Sequence, residues 1–308
     1  MTILTWMIQL ILTPLMAPLC VGVINQVKAR LQNRQGASII QPYKDLWKLF
    51  HKDEIISRDA SWIFRFTPLL IFAITIGLGA SIPLFSSFLY NDLTGDMLVI
   101  VYALAMSTFF LALAGMDTGS AFGGFGASRE MTISALAEGG LIFSLLTVAL
   151  INNTTNLFWI SSSTLFLQSH HLLPLSLAFG GFFIVLLAET GRFPFDNSAT
   201  HLELTMIHEA MILEYSGKKL ALMEWSAANK LFILSALGVN LFFPLGLAQQ
   251  ANWGMIGIGL VFLVIKILIF CLVIAVIESS MAKYRFFRLP DLLMISFIFN
   301  AVAISLVH

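Results

Sequence analysis

Glu189-Thr-Gly-Arg-Phe-Pro-Phe-Asp-Asn-Ser-Ala-Thr-His-Leu-Glu203, with the residues that follow it to Trp225, forms a long polar interval in a chain otherwise built of apolar runs. It carries Glu189, Asp196, Glu203, Glu209, Glu214 and Glu224, the histidines His201 and His208, and only Arg192, Lys218 and Lys219 as cations. Glu138 is expected to stand beside it in the fold. So many titratable groups set between apolar segments point to proton or ion handling rather than to a simple connector.

The flanks of this interval decide the fold. Of 308 residues, 58% are hydrophobic and 11% charged, against about 25% charged in ordinary soluble domains. A bilayer core about 30 Å thick needs roughly 20 apolar residues per helical crossing. Segments of that kind lie at 3–24, 67–89, 97–115, 131–151, 172–188, 229–248, 254–277 and 290–307. The expectation is an all-α integral membrane protein with eight transmembrane helices. No Lys or Arg precedes the first segment, whereas Lys28, Arg30 and Arg34 follow it, a pattern that fits a retained span rather than a secretory signal.

Lys and Arg concentrate on the cytoplasmic side of membrane proteins. Intervals 25–66, 116–130, 189–230 and 278–289 hold every Lys and Arg except Lys266, and intervals 90–96, 152–171 and 249–253 hold none. That division predicts both termini on the outer, periplasmic face. It makes 25–66, 116–130, 189–228 and 278–289 the cytoplasmic loops of a single polytopic domain, 1–308.

Within the first loop, Leu46, Leu49 and Phe50 with Lys44, Lys48 and Lys52 fit an amphipathic helix at the interface, an anchor to anionic lipid or a dock for a partner subunit. Gly119-Ser-Ala-Phe-Gly-Gly-Phe-Gly126 lacks the Gly-Lys-Ser/Thr ending of a phosphate-binding loop, so its glycines are read as tight turns and close backbone approach. Cys20 and Cys271 both fall in apolar runs, too few for a disulfide framework, an iron–sulfur cluster or a zinc site. His201 and His208, seven apart, would lie about 10 Å apart along a helix and could not share an ion. His170-His171 reads as a solvated pair. The net charge is zero, and nothing suggests nucleic acid.

Charged residues inside spans cost about 2.5–3.5 kcal/mol each on insertion scales and therefore mark partners, wet cavities or ion routes. Asp117, Glu138, Glu189, Lys266 and Glu278 are the candidates, with a purely structural ion pair as the alternative for each.

The polar motifs resemble a known family. Arg30-Leu-Gln-Asn-Arg34, Gln41-Pro-Tyr-Lys-Asp-Leu-Trp-Lys-Leu-Phe50, Gly126-Ala-Ser-Arg-Glu130 with Glu138, Glu189-Thr-Gly-Arg-Phe-Pro-Phe-Asp196 and Glu214-Tyr-Ser-Gly217 are similar to motifs of one membrane subunit. That subunit is shared by respiratory complex I, where it is subunit 1, and by energy-converting nickel–iron hydrogenases, formate hydrogenlyase included. Gly115-Met-Asp-Thr-Gly-Ser120 and Gly126-Ala-Ser-Arg-Glu130 favour the hydrogenase branch, resembling the hydrogenase-4 component C type. So do Ile24-Asn-Gln26, Gly36-Ala37 and Leu136-Ala-Glu138, where the quinone-reducing branch has other residues. After Pro-Phe-Asp the family commonly has three alternating carboxylates; here the positions are Ala199, His201 and Glu203.

The resemblance implies a non-catalytic subunit linking a hydrogenase-like large and small subunit pair to antiporter-like membrane subunits, and coupling electron transfer to proton or sodium translocation. It implies an ion pathway through Asp117, Glu138, Glu189, Asp196, His201, Glu203, Lys266 and Glu278, with Arg129 and Arg192 as counter-charges. Arg30, Arg34, Tyr43, Lys44, Trp47, Glu214 and Tyr215 would dock the partner. The chain itself would bind no metal or cofactor; iron–sulfur clusters, and a nickel–iron centre where one is retained, would sit in the partners. The setting would be a bacterial or archaeal cytoplasmic (inner) membrane. The alternatives are a quinone-site subunit of a complex I-type oxidoreductase and a metal-free relative of the hydrogenases.

Overall fold

The computed structural model describes residues 2–57, 59–89, 94–163, 169–196, 206–282 and 284–307. In chain order the helices are α1 (Thr2–Leu31), α2 (Gln41–Phe50), α3 (Trp62–Ser81), α4 (Met97–Asp117), α5 (Ala121–Asn152), α6 (Leu157–Ser162), α7 (Leu172–Glu189), α8 (His208–Ile212), α9 (Gly217–Phe242), α10 (Trp253–Ser280) and α11 (Leu289–Ser305). Among the described residues, eight helices are long and apolar enough to cross a membrane: α1, α3, α4, α5, α7, α9, α10, and α11 with the short turn before it. The chain is a multi-pass membrane protein. The eight run alternately up and down, so the basic segments gather at one end, here the basic end.

The first span runs on to Leu31 rather than ending at 24, and three others differ from their expected limits for local reasons. The apolar run expected to end at 89 stops being helical at Ser81, because Ile82 precedes Pro83 and is driven to extended backbone (φ −101°, ψ 150°). Residues 82–87 stay buried although irregular. Their backbone is answered from elsewhere: Gln9 Nε2 donates to the Ile82 carbonyl, Asn240 Nδ2 to those of Pro83 (2.8 Å) and Leu84 (2.6 Å), and the Ala248 N–H to that of Phe85 (2.9 Å). Non-helical backbone is tolerated at membrane depth only where protein supplies such partners.

The fourth span begins at Ala121, ten residues early, and takes most of the glycine run into the helix. Gly119 alone has the left-handed backbone of a turn (φ +65°). Gly123 serves close approach instead: a Cβ there would sit on the Gly115 carbonyl oxygen, so α4 and α5 touch backbone to backbone. The sixth span begins at Gly217 rather than 229. Its first turns carry Lys218, Lys219 and Glu224, which read as loop by hydropathy. In the helix, Glu224, Ala227, Ala228 and Leu231 fall on one stripe.

Bilayer provides little hydrophobic drive between helices, so close packing and polar contacts hold them. Ser144 Oγ donates to the Ala178 carbonyl (3.0 Å), Ser296 Oγ to that of Gly181 (2.8 Å), and Asn300 Nδ2 to that of Gly140 (2.9 Å), joining α5, α7 and α11. Pro18 has no N–H for the carbonyl four residues earlier. The Trp225 indole takes that place, donating to the Pro14 carbonyl (2.9 Å), and the Tyr43 hydroxyl donates to the neighbouring Leu15 carbonyl. The proline turn of α1 is thereby fastened to α9 and α2, which brings Pro18, Val21 and Asn25 to the edge of a cavity.

Candidate functional site

At the basic end, α1, α2, α7, α8 and α9 enclose a cavity of about 410 Å³. Its wall includes Asp45, Glu189, Asp196, Glu209 and Glu224 against Arg192 and Lys230. Each element contributes for an identifiable reason. Gly191, with left-handed backbone (φ +57°), ends α7 and turns Arg192 back towards the bundle. Asp196 Oδ2 accepts from the N–H groups of Ile207 and His208 (both 3.2 Å), which pins the start of α8. The small Ala227 and Ala228 on the α9 stripe leave room between Glu224 and Lys230.

Two ion-pair systems order the charges. Lys230 Nζ lies 2.6 Å from Glu189 Oε2 and donates to Thr108 Oγ1 at 3.3 Å. Glu278, 4% exposed, receives Lys28 Nζ and Arg192 Nη1 at 3.0 Å each. Lys28 also stands over the Phe193 ring, 4.5 Å from its centre. Behind the Lys230 wall is a second, small pocket of about 30 Å³, lined by Glu130, His208, Thr75, Ser107, Thr108 and Ser226 among others.

Outside the spans, burial and the carboxylates of Glu224 and Asp196 push Glu209 up to about 7. Burial and the Lys230 ammonium push His208 down to about 4, opposed by Asp196. Glu209 holds its proton in the folded chain to about pH 7 but releases it near its ordinary 4.5 when unfolded. The folded state is therefore favoured below the lower value, and that stabilisation is lost as pH rises through the higher one. Glu209→Gln is expected to flatten the fall in thermal stability between about pH 5 and pH 8, by up to about 3 kcal/mol. Thermal unfolding in detergent across that range checks it, and an unchanged slope would assign the dependence elsewhere.

Of the expected ion-route residues, Glu189 and Asp196 meet at the cavity, and Glu278 joins them through Arg192. His201 and Glu203 lie outside the described residues. Glu138 is half-buried on α5, with no hydrogen bond or ion pair among the described residues. Asp117 is placed differently: its Oδ2 accepts from the N–H groups of Ser61 (2.8 Å) and Phe64 (3.4 Å), capping α3. Lys266 is also apart, donating to Asn240 Oδ1 (3.1 Å) and about 18 Å along α10 from Glu278.

The expected counter-charges divide. Arg192 pairs with Glu278, but Arg129 donates to the Met206 carbonyl (3.0 Å) and lies over the Phe286 ring, meeting no carboxylate among the described residues. Lys230, at the very start of the expected sixth segment and not assigned to the route, is the partner of Glu189 instead. Arg30, Arg34, Lys44, Trp47 and Glu214 are exposed. Tyr43 is half-buried and spent on Leu15. Tyr215 departs from the docking role expected of it: it is 4% exposed, stacks on Phe64 at 3.9 Å and donates to the Phe64 carbonyl (3.0 Å), so its ring belongs to the core. Its position in a polar loop motif conceals this. His208, Glu209, Glu224 and Glu130 are in view in the sequence, but only the start of α9 inside the bundle gathers them.

Fold and cavity together define a polytopic helical membrane subunit with an acidic, partly ion-paired chamber opening at its basic end. A family model described as NADH dehydrogenase matches residues 3–308, and the chain belongs to that family. Hydrogenase-4 component C of Escherichia coli (strain K12) is 34% identical over 96% of this chain and 92% of its own length. Formate hydrogenlyase subunit 4 of the same organism is 30% identical over 92% of each. A NADH-quinone oxidoreductase subunit of Paraburkholderia xenovorans is 28% identical over 82% of this chain and 74% of that protein. The fold matches a chain in the structure of the membrane-bound sulfane sulfur reductase, an archaeal respiratory membrane complex, with a TM-score of 0.83, covering 100% of this chain and 99% of that one at 21% identity. Among the described residues, no group of three His, Cys, Asp or Glu side chains could hold a metal ion.

Proposed function

We propose that this chain links a hydrogenase-like peripheral redox arm to ion-translocating, antiporter-like membrane subunits in a bacterial or archaeal cytoplasmic membrane. The observation that carries the reading is similarity at 34% and 30% identity, over nearly the full length, to subunits of hydrogenase-4 and formate hydrogenlyase. The cavity supports it, since its acidic groups lie at the end where the exposed basic and aromatic residues Arg30, Arg34, Lys44 and Trp47 can receive a partner. In this reading the basic end is cytoplasmic and both termini are outside. The partners carry the iron–sulfur clusters and any nickel–iron centre.

Docking of the redox arm over the cavity would let a redox-linked rearrangement move charge near Glu209 and the Lys230–Glu189 pair. Taking one charge against 100 mV requires about 2.3 kcal/mol. A shift of two pKa units at one such carboxylate, about 2.7 kcal/mol, is enough. Glu189, Asp196, Arg192 and Glu278 form the ordered part of the route, and Glu138 on α5 is its unpaired continuation.

The test is mass spectrometry, with metal analysis, of the complex purified through this subunit in mild detergent. Hydrogenase-like large and small subunits with antiporter-like subunits are expected. Recovery with a quinone-reducing arm, or of this chain alone in active form, would overturn the reading.

A further inference from the structure

His208 stands where the two cavities meet. It lines both the 410 Å³ chamber and the 30 Å³ inner pocket, and so do Lys230, Met223 and Ala227, which makes these four side chains the partition between them. The imidazole has no hydrogen-bond partner among the described residues, whereas its backbone N–H is held by Asp196 Oδ2 at 3.2 Å. Its main chain is thus fixed, and its side chain stands between two spaces lined by polar and charged groups.

The charges around it come from every adjoining element: Asp196 from the loop, Glu189 from α7, Lys230 and Glu224 from α9, and Glu130 from α5 on the inner side. The inner pocket, about 30 Å³, has room for water beside Glu130. The ammonium of Lys230 in the partition opposes the passage of a metal cation.

We infer that His208 is the group through which protons pass from the open chamber to Glu130. The inference rests on the function proposed above. The imidazole accepts a proton on its chamber-side nitrogen as the proton on its other nitrogen leaves, directly or through one water, for the Glu130 carboxylate. The ring begins and ends neutral, in its two tautomers, and Glu130 ends as the neutral acid. Each ring nitrogen has one role in the step, and no oxidant or metal is required. A ring held down at about 4 by burial and Lys230 is neutral near pH 7, as this exchange needs.

The experiment uses the whole complex in liposomes, reading redox-driven proton transport alongside electron transfer from the soluble arm to an artificial acceptor. A wild-type complex without coupled transport would overturn the proposed function itself; the variants test the inference. In His208→Ala, transport is expected to fall by about 100-fold, the usual weight of a positioned acid–base group, with soluble-arm electron transfer retained. Imidazole in the medium, able to enter the enlarged chamber, is expected to restore transport. 1-Methylimidazole, which has no second N–H to give up, is expected not to. Rescue by neither compound, or equal rescue by both, would overturn the two-nitrogen relay. His208→Gln keeps a polar side chain of similar reach in case the alanine variant does not assemble. Full transport in that variant would likewise remove His208 from the route.

Discussion

Lys230→Met is expected to be among the most damaging single substitutions in this chain, costing about 3–5 kcal/mol of stability and abolishing coupled transport. Glu189 is almost wholly buried, its side chain 6% exposed, and the lysine ammonium at 2.6 Å is its only ion-pair partner among the described residues. Removing the cation leaves a carboxylate that must stay charged in poor solvent or take up a proton. Loss of the partner costs more than the pair contributes, because both ions were desolvated on folding. Lys230→Met with Glu189→Gln should therefore recover most of the stability, since a neutral pair of similar volume has no charge to solvate. Transport should not recover with it. Thermal unfolding in detergent, with transport in liposomes, separates the effects. A single variant as stable as wild type would show that water reaches Glu189.

Glu278→Ala is expected to rank beside it, and for the opposite reason. Here a single buried carboxylate serves two cations, Lys28 from α1 and Arg192 from the turn after α7. Its removal leaves those cations facing each other without an anion between them, and unties α10 from both. A loss of about 3–5 kcal/mol is expected, with a partial return in Glu278→Gln, whose amide oxygen can still accept from one donor. Added salt should rescue little, because the carboxylate is 3% exposed and ions cannot enter to screen it. The melting temperatures of both variants at low and high salt would check this. Full rescue by salt would place the triad at the surface.

The spans are legible in hydropathy because a helix in lipid must be apolar over a fixed length whatever it packs against. Sequence and structure differ where composition and backbone conformation part company. Residues 82–89 are mostly apolar but turn out of the helix at Ile82-Pro83, and residues 217–228 carry Lys218, Lys219 and Glu224 yet are helical. That second difference hides the site: with Lys230 at the edge of a loop, nothing links it to Glu189, and Arg129 and Arg192 stand in as counter-charges. Asp117 resembles a membrane carboxylate because the N–H groups it caps are 53 and 56 residues away. Tyr215 passes for a surface residue because its stacking partner Phe64 is 151 residues away. For His208, sequence spacing tests only a shared metal with His201, since it cannot show a wall between two chambers.

The buried, unwound end of α3 bears on how the protein is made. The carbonyls of Pro83 and Leu84 are answered by Asn240, more than 150 residues later in the chain. Until α9 enters the bilayer, these groups can be satisfied only by water or by the insertion machinery, since lipid offers no donor. The half of the bundle away from the basic end therefore closes late during synthesis, and α9 acts as its keystone. A ribosome stalled before residue 240 would leave the five long helices that precede α9 with that seam still open.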